Sequence, residues 1–414
     1  MRGPFTATRL ADNVYWVGAI DWGIRNFHGY ETSRGTTYNA YLVLADKITL
    51  VDTVKAPFAD EMLSRVASVI APEKIDYIVS NHAEMDHSGA LPRTIEAVKP
   101  EKVFASVMGA KALSSHFDLG LDVTPVQNGE SLSLGNVNLS FIHTPMLHWP
   151  DSMVSYLAEE EILFSQDAFG MHLASTERFS DEICRDVLVD EAAKYYANIL
   201  LPLSPLVAKL VESLPTFGLS FKIVAPDHGP IWRSGFQEVL SWYSTWAAQK
   251  FTMKAVIVYD TMWKSTELMA RAACDGLAKG GVSVSVMPLQ SSHRSDVATA
   301  VMQAGALIVG SPTINNGVFP SVADVMTYLK GLKPKNLVGA AFGSYGWSGE
   351  AVGHLNELLK SMKVELVTDG VKANYVPKAA ALDQCFSLGE AVAERLKEKY
   401  LDKKAPRANL NSDT

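Results

Sequence analysis

The sequence predicts an α/β protein of two domains, the first built from covered sheets and the second from a doubly wound parallel sheet. Three observations point there. A chain of 414 residues exceeds what one ordinary core organises. Apolar strands at 75–79 and 103–106 alternate with helical spacing at 59–70 and 110–117. Beyond Met253, three apolar strands are each followed by a loop rich in Ser, Thr, Asn, Gly and aromatic residues. The expected domains are residues 1–250 and 251–400, with a polar, flexible tail at 401–414.

Composition narrows the function. A hydrophobic fraction of 48% and a charged fraction of 20% are those of a soluble globular protein. A net charge of −8 leaves no basic stripe to follow phosphates, which excludes nucleic acid as a partner. Cys184, Cys274 and Cys385 stand apart, without Cys-x-x-Cys pairs, so neither a disulfide framework nor an iron–sulfur or rubredoxin centre is expected. No signal core follows Met1 and no run reaches bilayer length, so the expectation is a cytoplasmic protein without a membrane partner.

In chain order, residues 14–17, 38–44 and 48–51 read as antiparallel strands. Asp52 ends the last of them, either orienting a metal ligand or capping the next turn. Residues 21–30, which include His28, have the composition of a surface loop. The strand at 75–79 then delivers His82, Glu84, Asp86 and His87 within six residues. In a loop, residues two apart can aim at one point, so His82 and Glu84 share one ion while Asp86 and His87 reach a second. This run resembles the metallo-β-lactamase superfamily signature His-x-His-x-Asp-His, with Glu84 in place of the second His. A carboxylate there adds charge and a hard oxygen donor, which moves the site from zinc toward iron or manganese. A solvated loop with an incidental histidine pair would not be followed by the remaining ligands in the superfamily's order, as this one is.

His148 lies in a Pro-bounded loop and is taken as a ligand, whereas His143, at a strand end, is read as packed or outside the ligand set. Asp167, ending an apolar strand, is placed to bridge two ions with one oxygen each. His228 follows the strand at 222–226. The expected set is His82, Glu84 and His148 on one ion, Asp86, His87 and His228 on the other, and Asp167 between. Three carboxylates against two divalent ions leave about one positive charge, close to the neutrality a buried site needs. His116, His293 and His354 are read as surface or helix-face residues, and His172 as near the site without binding an ion.

The aromatic helix around 241–250 precedes a change of character, and 254–260 forms a short apolar strand. Thr261, Met262, Trp263, Ser265 and Thr266 then lead into a helix from Glu267, an arrangement that offers backbone N–H groups and hydroxyls to a phosphate. It is not a P-loop, and it resembles the flavodoxin phosphate loop with Met262 and Trp263 standing where glycine is usual. Two further loops follow strands: Pro312, Thr313, Ile314, Asn315, Asn316 and Gly317, then Ser344, Tyr345, Gly346, Trp347, Ser348 and Gly349. Their glycines permit close approach, and Trp263, Tyr345 or Trp347 can stack on a flavin ring, unless Tyr345 and Trp347 are core aromatics.

Taken together, the His82-x-Glu84-x-Asp86-His87 run, Leu147-His148-Trp149-Pro150-Asp151, Asp167, Asp227-His228-Gly229-Pro230 and the flavin loops resemble the flavodiiron proteins of A type over nearly the whole chain. The resemblance implies an N-terminal metallo-β-lactamase-like αββα sandwich followed by a flavodoxin-like domain, with two non-haem irons and FMN. It implies reduction of dioxygen to water, nitric oxide to nitrous oxide, or both. No Cys-rich module follows in this sequence, so the electron donor is expected to be a separate molecule, a rubredoxin before a deazaflavin. The resemblance also implies a head-to-tail homodimer or dimer of dimers, and a substrate pocket lined by His28 and Tyr195, with Tyr196 as the alternative tyrosine. The rival is a thioesterase-like or glyoxalase II-like hydrolase with an accessory flavin domain, which Glu84 and the metal's identity separate from an oxidoreductase. A third reading, a flavin-based electron carrier, leaves the ligand set without a purpose.

Overall fold

The structure is a computed structural model that describes residues 3–402; of the tail expected at 401–414, residues 401–402 end the helix Ala379–Asp402 and the rest lies outside the described residues. The chain divides into two compact units: Met1–Tyr195 with Leu203–Ser244, and Tyr196–Pro202 with Thr245–Thr414.

The first unit carries two sheets. The seven-stranded sheet runs Thr8–Arg9, Val14–Trp16, Tyr41–Val43, Thr49–Val51, Tyr77–Ser80, Lys102–Ser106, Val123–Val126. The five-stranded sheet runs Ser131–Ser133, Asn138–His143, Met153–Leu157, Ile162–Gln166, Ile223–Pro226. Strand residues alternate between faces. Val79 and Phe104 of one sheet therefore pack with Phe141 and Phe164 of the other, while Ile78 and Val103 turn outward onto Met62, Leu91 and Ile95 of the covering helices. This is the expected αββα sandwich. Asn138–His143 and Ile162–Gln166 are both antiparallel to Met153–Leu157, and Ile223–Pro226 is parallel to Ile162–Gln166. Three of these strands thus end at one edge, where the loops with His148, Asp167 and His228 emerge.

Residues 21–30 are not a plain loop. Asn26–Phe27 pairs with Tyr30–Glu31 around His28 and Gly29, both at positive φ (53° and 87°). Two left-handed residues make a tight hairpin, usually signalled by Asn-Gly, and the His-Gly spelling hides it. The helical stretch Arg185–Phe217 is long and apolar enough by composition to cross a membrane, against the expectation that no run reaches that length. It is interrupted by a π-turn at Tyr196–Leu200 and a 3-10 turn at Leu201–Leu203. Its buried Glu191 and Lys194 are ion-paired with Arg34 and Glu31, as in the helix of a folded domain.

The second unit is a parallel sheet in the order Ser283–Pro288, Lys254–Tyr259, Ala306–Gly310, Val338–Tyr345, followed by Glu365–Leu366, with Val371–Asn374 also paired to Val338–Tyr345. This is the doubly wound plan expected. Strand Val338–Tyr345 takes in Ser344 and Tyr345, expected in the loop after it, and the first helix begins at Ser265 rather than Glu267.

Helices Ser265–Lys279 and Ala379–Asp402 touch through small residues. A Cβ on Gly276 would lie 2.0 Å from the Phe386 carbonyl oxygen, and one on Gly389 would lie 2.2 Å from that of Ala273. Because backbone cannot step aside as a side chain can, Gly276→Ala should destabilise this unit by about 1–3 kcal/mol despite alanine's better helix propensity. Differential scanning calorimetry should show its transition moved down, with the first unit's transition unmoved.

Candidate functional site

Strand Tyr77–Ser80 hands the chain to His82, and Glu84 remains extended (φ −61°, ψ 145°) before the single turn Met85–Ser88. Extended backbone sends His82 and Glu84 to one point, and the turn sends Asp86 and His87 to another. Ligand-capable atoms of His82, Glu84, His148 and Asp167 lie within 4.8 Å of one another, as do those of Asp86, His87 and His228. Asp167 joins the groups. Its Oδ2 is 2.9 Å from His148 Nε2 and 3.4 Å from His82 Nε2, and its Oδ1 is 3.2 Å from His87 Nε2 and 3.5 Å from His228 Nε2. All seven residues singled out in the sequence are therefore brought together.

These residues fit a pair of cations. His82 Nε2, His87 Nε2, Asp86 Oδ1 and Asp167 Oδ1 are buried without hydrogen-bond partners, although other ligand-capable atoms crowd round them. Atoms that face a common centre rather than each other are what a metal site looks like. The electrostatics agree. Burial works against a charged His82, yet Asp151, Glu84 and Asp167 hold its pKa up at about 10. Burial likewise opposes a charged His148, and Asp167 with Glu84 raises it to about 9. Burial would push Asp167 up, but His87 and His148 keep it well below the usual carboxylate range. The carboxylates thus demand positive charge, which divalent ions would supply in place of protons.

Each Nε2 faces the centre, and two of the opposite nitrogens are held by hydrogen bonds, whereas His87 Nδ1 is buried without one. His82 Nδ1 is 2.9 Å from Asp151 Oδ2, which also accepts from the Ala83 N–H at 2.6 Å. His228 Nδ1 donates to the Thr37 carbonyl at 2.6 Å, and His87 Nδ1 lies 3.4 Å from Asp227 Oδ2. Sequence reading did not assign these supports, because Asp151 and His82 are 69 residues apart and no local spacing links them. Asp151→Ala should free the His82 ring and lower iron affinity by about 10–100-fold, measured as faster iron loss to a chelator. Asp52 settles as a brace for the residue before His82, accepting from Asn81 N and Nδ2 at 2.6 and 2.8 Å. His143 stays outside both groups, as does His172, whose ring is 4.6 Å from that of His228 and whose Nδ1 is 2.9 Å from the Thr36 hydroxyl.

His28, at the hairpin tip, places Nε2 3.7 Å from Glu84 Oε1. Tyr195 is buried, its ring 5.1 Å from His172 and 6.3 Å from His228, and burial with the nearby Asp167 charge raises its phenol well above the usual range. Tyr196 instead packs on Trp246 at 5.5 Å, so Tyr195 is the tyrosine on the metal side.

In the second unit a cavity of about 630 Å³ opens beyond the strand ends, lined by Met262, Trp263, Ser265, Pro312, Thr313, Ile314, Asn315, Asn316, Ser344, Tyr345, Gly346, Trp347 and Ser348. Trp263 and Trp347 are each 90% exposed, which rules them out as core residues. Four expected contacts are missing from the lining. Thr261 is buried beside it, Thr266 is 3.0 Å from the Ser344 hydroxyl, Gly317 lies in the short hairpin Thr313–Ile314/Gly317–Val318, and Gly349 precedes helix Glu350–Ser361. Tyr375 and Val376 line the cavity without having been foreseen.

Comparison with known proteins places both units. Residues 36–229 match the profile of the ODP family beta lactamases, and residues 257–389 match that of flavodoxin. Nitric oxide reductase of Moorella thermoacetica is 46% identical over 94% of this chain and 98% of its own. Rubredoxin-oxygen oxidoreductase of Megalodesulfovibrio gigas is 47% identical over 95% of this chain and 99% of its own. The crystal structure of the flavodiiron protein from Giardia intestinalis superposes with a TM-score of 0.93 at 33% identity, covering 98% of this chain and 100% of that one. With both domains matched in order and relatives this similar aligned almost end to end, the chain belongs to the flavodiiron protein family.

Proposed function

We propose that the protein is a flavodiiron oxidoreductase that reduces dioxygen to water, nitric oxide to nitrous oxide, or both, drawing electrons through FMN from an external donor such as rubredoxin. The observation that carries the reading is the donor set: Asp167 offers one oxygen to each histidine–carboxylate group, and Glu84 stands where a zinc hydrolase of this fold carries histidine. The names of the two relatives support the two substrates and the donor. The hydrolase reading is not favoured. The proposal includes domains at 1–250 and 251–400, a cytoplasmic location, and a head-to-tail homodimer or dimer of dimers that covers the exposed Trp263, Trp347 and Tyr375.

The irons would be held by His82, Glu84 and His148 on one side, by Asp86, His87 and His228 on the other, and by Asp167 between. FMN would lie among Ser265, Asn315, Ser344 and Trp347. So held, an iron pair would supply redox chemistry toward a diatomic molecule, and FMN would supply the reducing equivalents. The protein supplies position and charge. Asp151 and the Thr37 carbonyl fix ring orientations, Phe27 packed 5.0 Å from His172 keeps water from that side, and His28 covers the Glu84 side. Tyr195, whose phenol stays protonated, holds a proton beside Asp167.

The test is gas uptake by the iron- and FMN-loaded protein under anaerobic conditions, with each gas added in turn. Turnover is expected with chemically reduced rubredoxin and is expected to be negligible with NADH alone. Two zinc ions per chain, ester hydrolysis and no gas uptake would overturn the reading.

A further inference from the structure

We infer that Asp260 is a positioning residue that fixes the loop of Thr261 and Ser265 and thereby sets the preference for a phosphorylated flavin over an unphosphorylated one. The inference rests on the FMN reading above.

Asp260 directly follows strand Lys254–Tyr259 and is 5% exposed. Its carboxylate gathers donors from three elements. Oδ1 accepts from the Thr261 N–H at 2.7 Å and from Gln290 Nε2 at 3.3 Å, and Oδ2 accepts from the Ser321 hydroxyl. Gln290 lies just past the neighbouring strand Ser283–Pro288, and Ser321 is in the first turn of helix Pro320–Leu332. Gln290 Nε2 also donates to the Thr261 carbonyl at 3.1 Å, so the N–H of Thr261 is held by the adjoining Asp260 and its carbonyl from outside the loop.

The loop calls for such bracing. Lys264 takes a left-handed conformation (φ 66°) without being glycine, and Met262 and Trp263 are too exposed to anchor it by packing. The Thr261 hydroxyl is buried with no hydrogen-bond partner, next to a loop that ends in a helix N-terminus. By charge alone, a carboxylate beneath that loop would repel a phosphate, and removing it would tighten FMN binding. By position, removing it would release the loop and weaken FMN binding. Three converging donors, two of them neutral side chains from separate elements, favour position. Riboflavin, which has the ring without the phosphate, should be indifferent to this residue.

The experiment is titration of the flavin-stripped full chain with FMN and with riboflavin, followed by flavin fluorescence. Asp260→Ala should weaken FMN about tenfold or more and leave riboflavin within about twofold, while Asp260→Asn, which keeps an acceptor, recovers most of the loss. FMN binding that tightens or does not change, or riboflavin that weakens in step with FMN, would overturn the inference. If Asp260→Ala does not fold, Gln290→Ala decides by the same comparison. Wild-type protein that binds neither flavin overturns the FMN reading itself, whereas wild-type protein that binds FMN with an unchanged FMN-to-riboflavin ratio in the variants overturns this inference alone.

Discussion

Replacing Asp167 by alanine is expected to strip most of the iron from the protein and slow gas reduction by about a thousandfold or more, while FMN stays bound. Among the described residues, Asp167 is the one whose two oxygens reach both groups, Oδ2 at 2.9 Å from His148 Nε2 and Oδ1 at 3.2 Å from His87 Nε2. Its loss removes a donor from each side and one of the negative charges that offset two divalent ions. Being 3% exposed, the position gives bulk water little room to stand in for the carboxylate. Loss of a charged ligand costs several kcal/mol, and about 4 kcal/mol is a thousandfold in rate. Asp167→Asn, which keeps one oxygen donor, should fall between. Elemental analysis, flavin absorbance and gas uptake on one preparation check all three expectations. A variant with two irons per chain and wild-type rates would remove Asp167 from the site.

What could be read without the structure was local. Each of the seven candidate ligands follows a short apolar strand or stands in a Pro-bounded loop, so its type and place are legible within a few residues. The groups that hold those ligands were not legible. Asp151 meets His82 only because two sheets stack, and Thr37 meets His228 from 191 residues away. Tyr195 and Tyr196 could not be told apart by helical phase, because a π-turn starts at Tyr196 and breaks that phase. Tyr375 and Val376 went unseen since the strand before them, Val371–Asn374, buries only alternate residues and has no apolar run. In the first flavin loop, hydroxyls were read as phosphate donors from composition. Thr266 instead meets the Ser344 hydroxyl, tying the first turn of helix Ser265–Lys279 to the end of strand Val338–Tyr345, a contact that composition does not reveal.

Glu84→His should convert the site toward the zinc-binding pattern of the fold's hydrolases, with the zinc-to-iron ratio rising about tenfold or more in cells given both metals and gas reduction collapsing accordingly. Glu84 Oε2 lies 3.4 Å from both His82 Nε2 and His148 Nε2, and burial, which would raise its pKa, is outweighed by those two imidazoles, so the carboxylate stays ionised. An imidazole in its place removes a negative charge from the first group and leaves three nitrogens around that ion, a set that zinc accepts readily in tetrahedral sites. The second group, Asp86, His87 and His228, keeps its donors, so iron should persist there better than beside position 84. The contact between His28 Nε2 and Glu84 Oε1 at 3.7 Å is lost as well, which loosens the hairpin tip over the site. Glu84→Gln separates the two contributions, since it removes the charge but keeps an oxygen donor: it should weaken iron binding without recruiting zinc. Metal analysis of the three proteins, grown side by side in medium containing both metals, decides the point. Equal iron content in wild type and Glu84→His would mean that the carboxylate does not select the metal, and the main argument against a hydrolase would go with it.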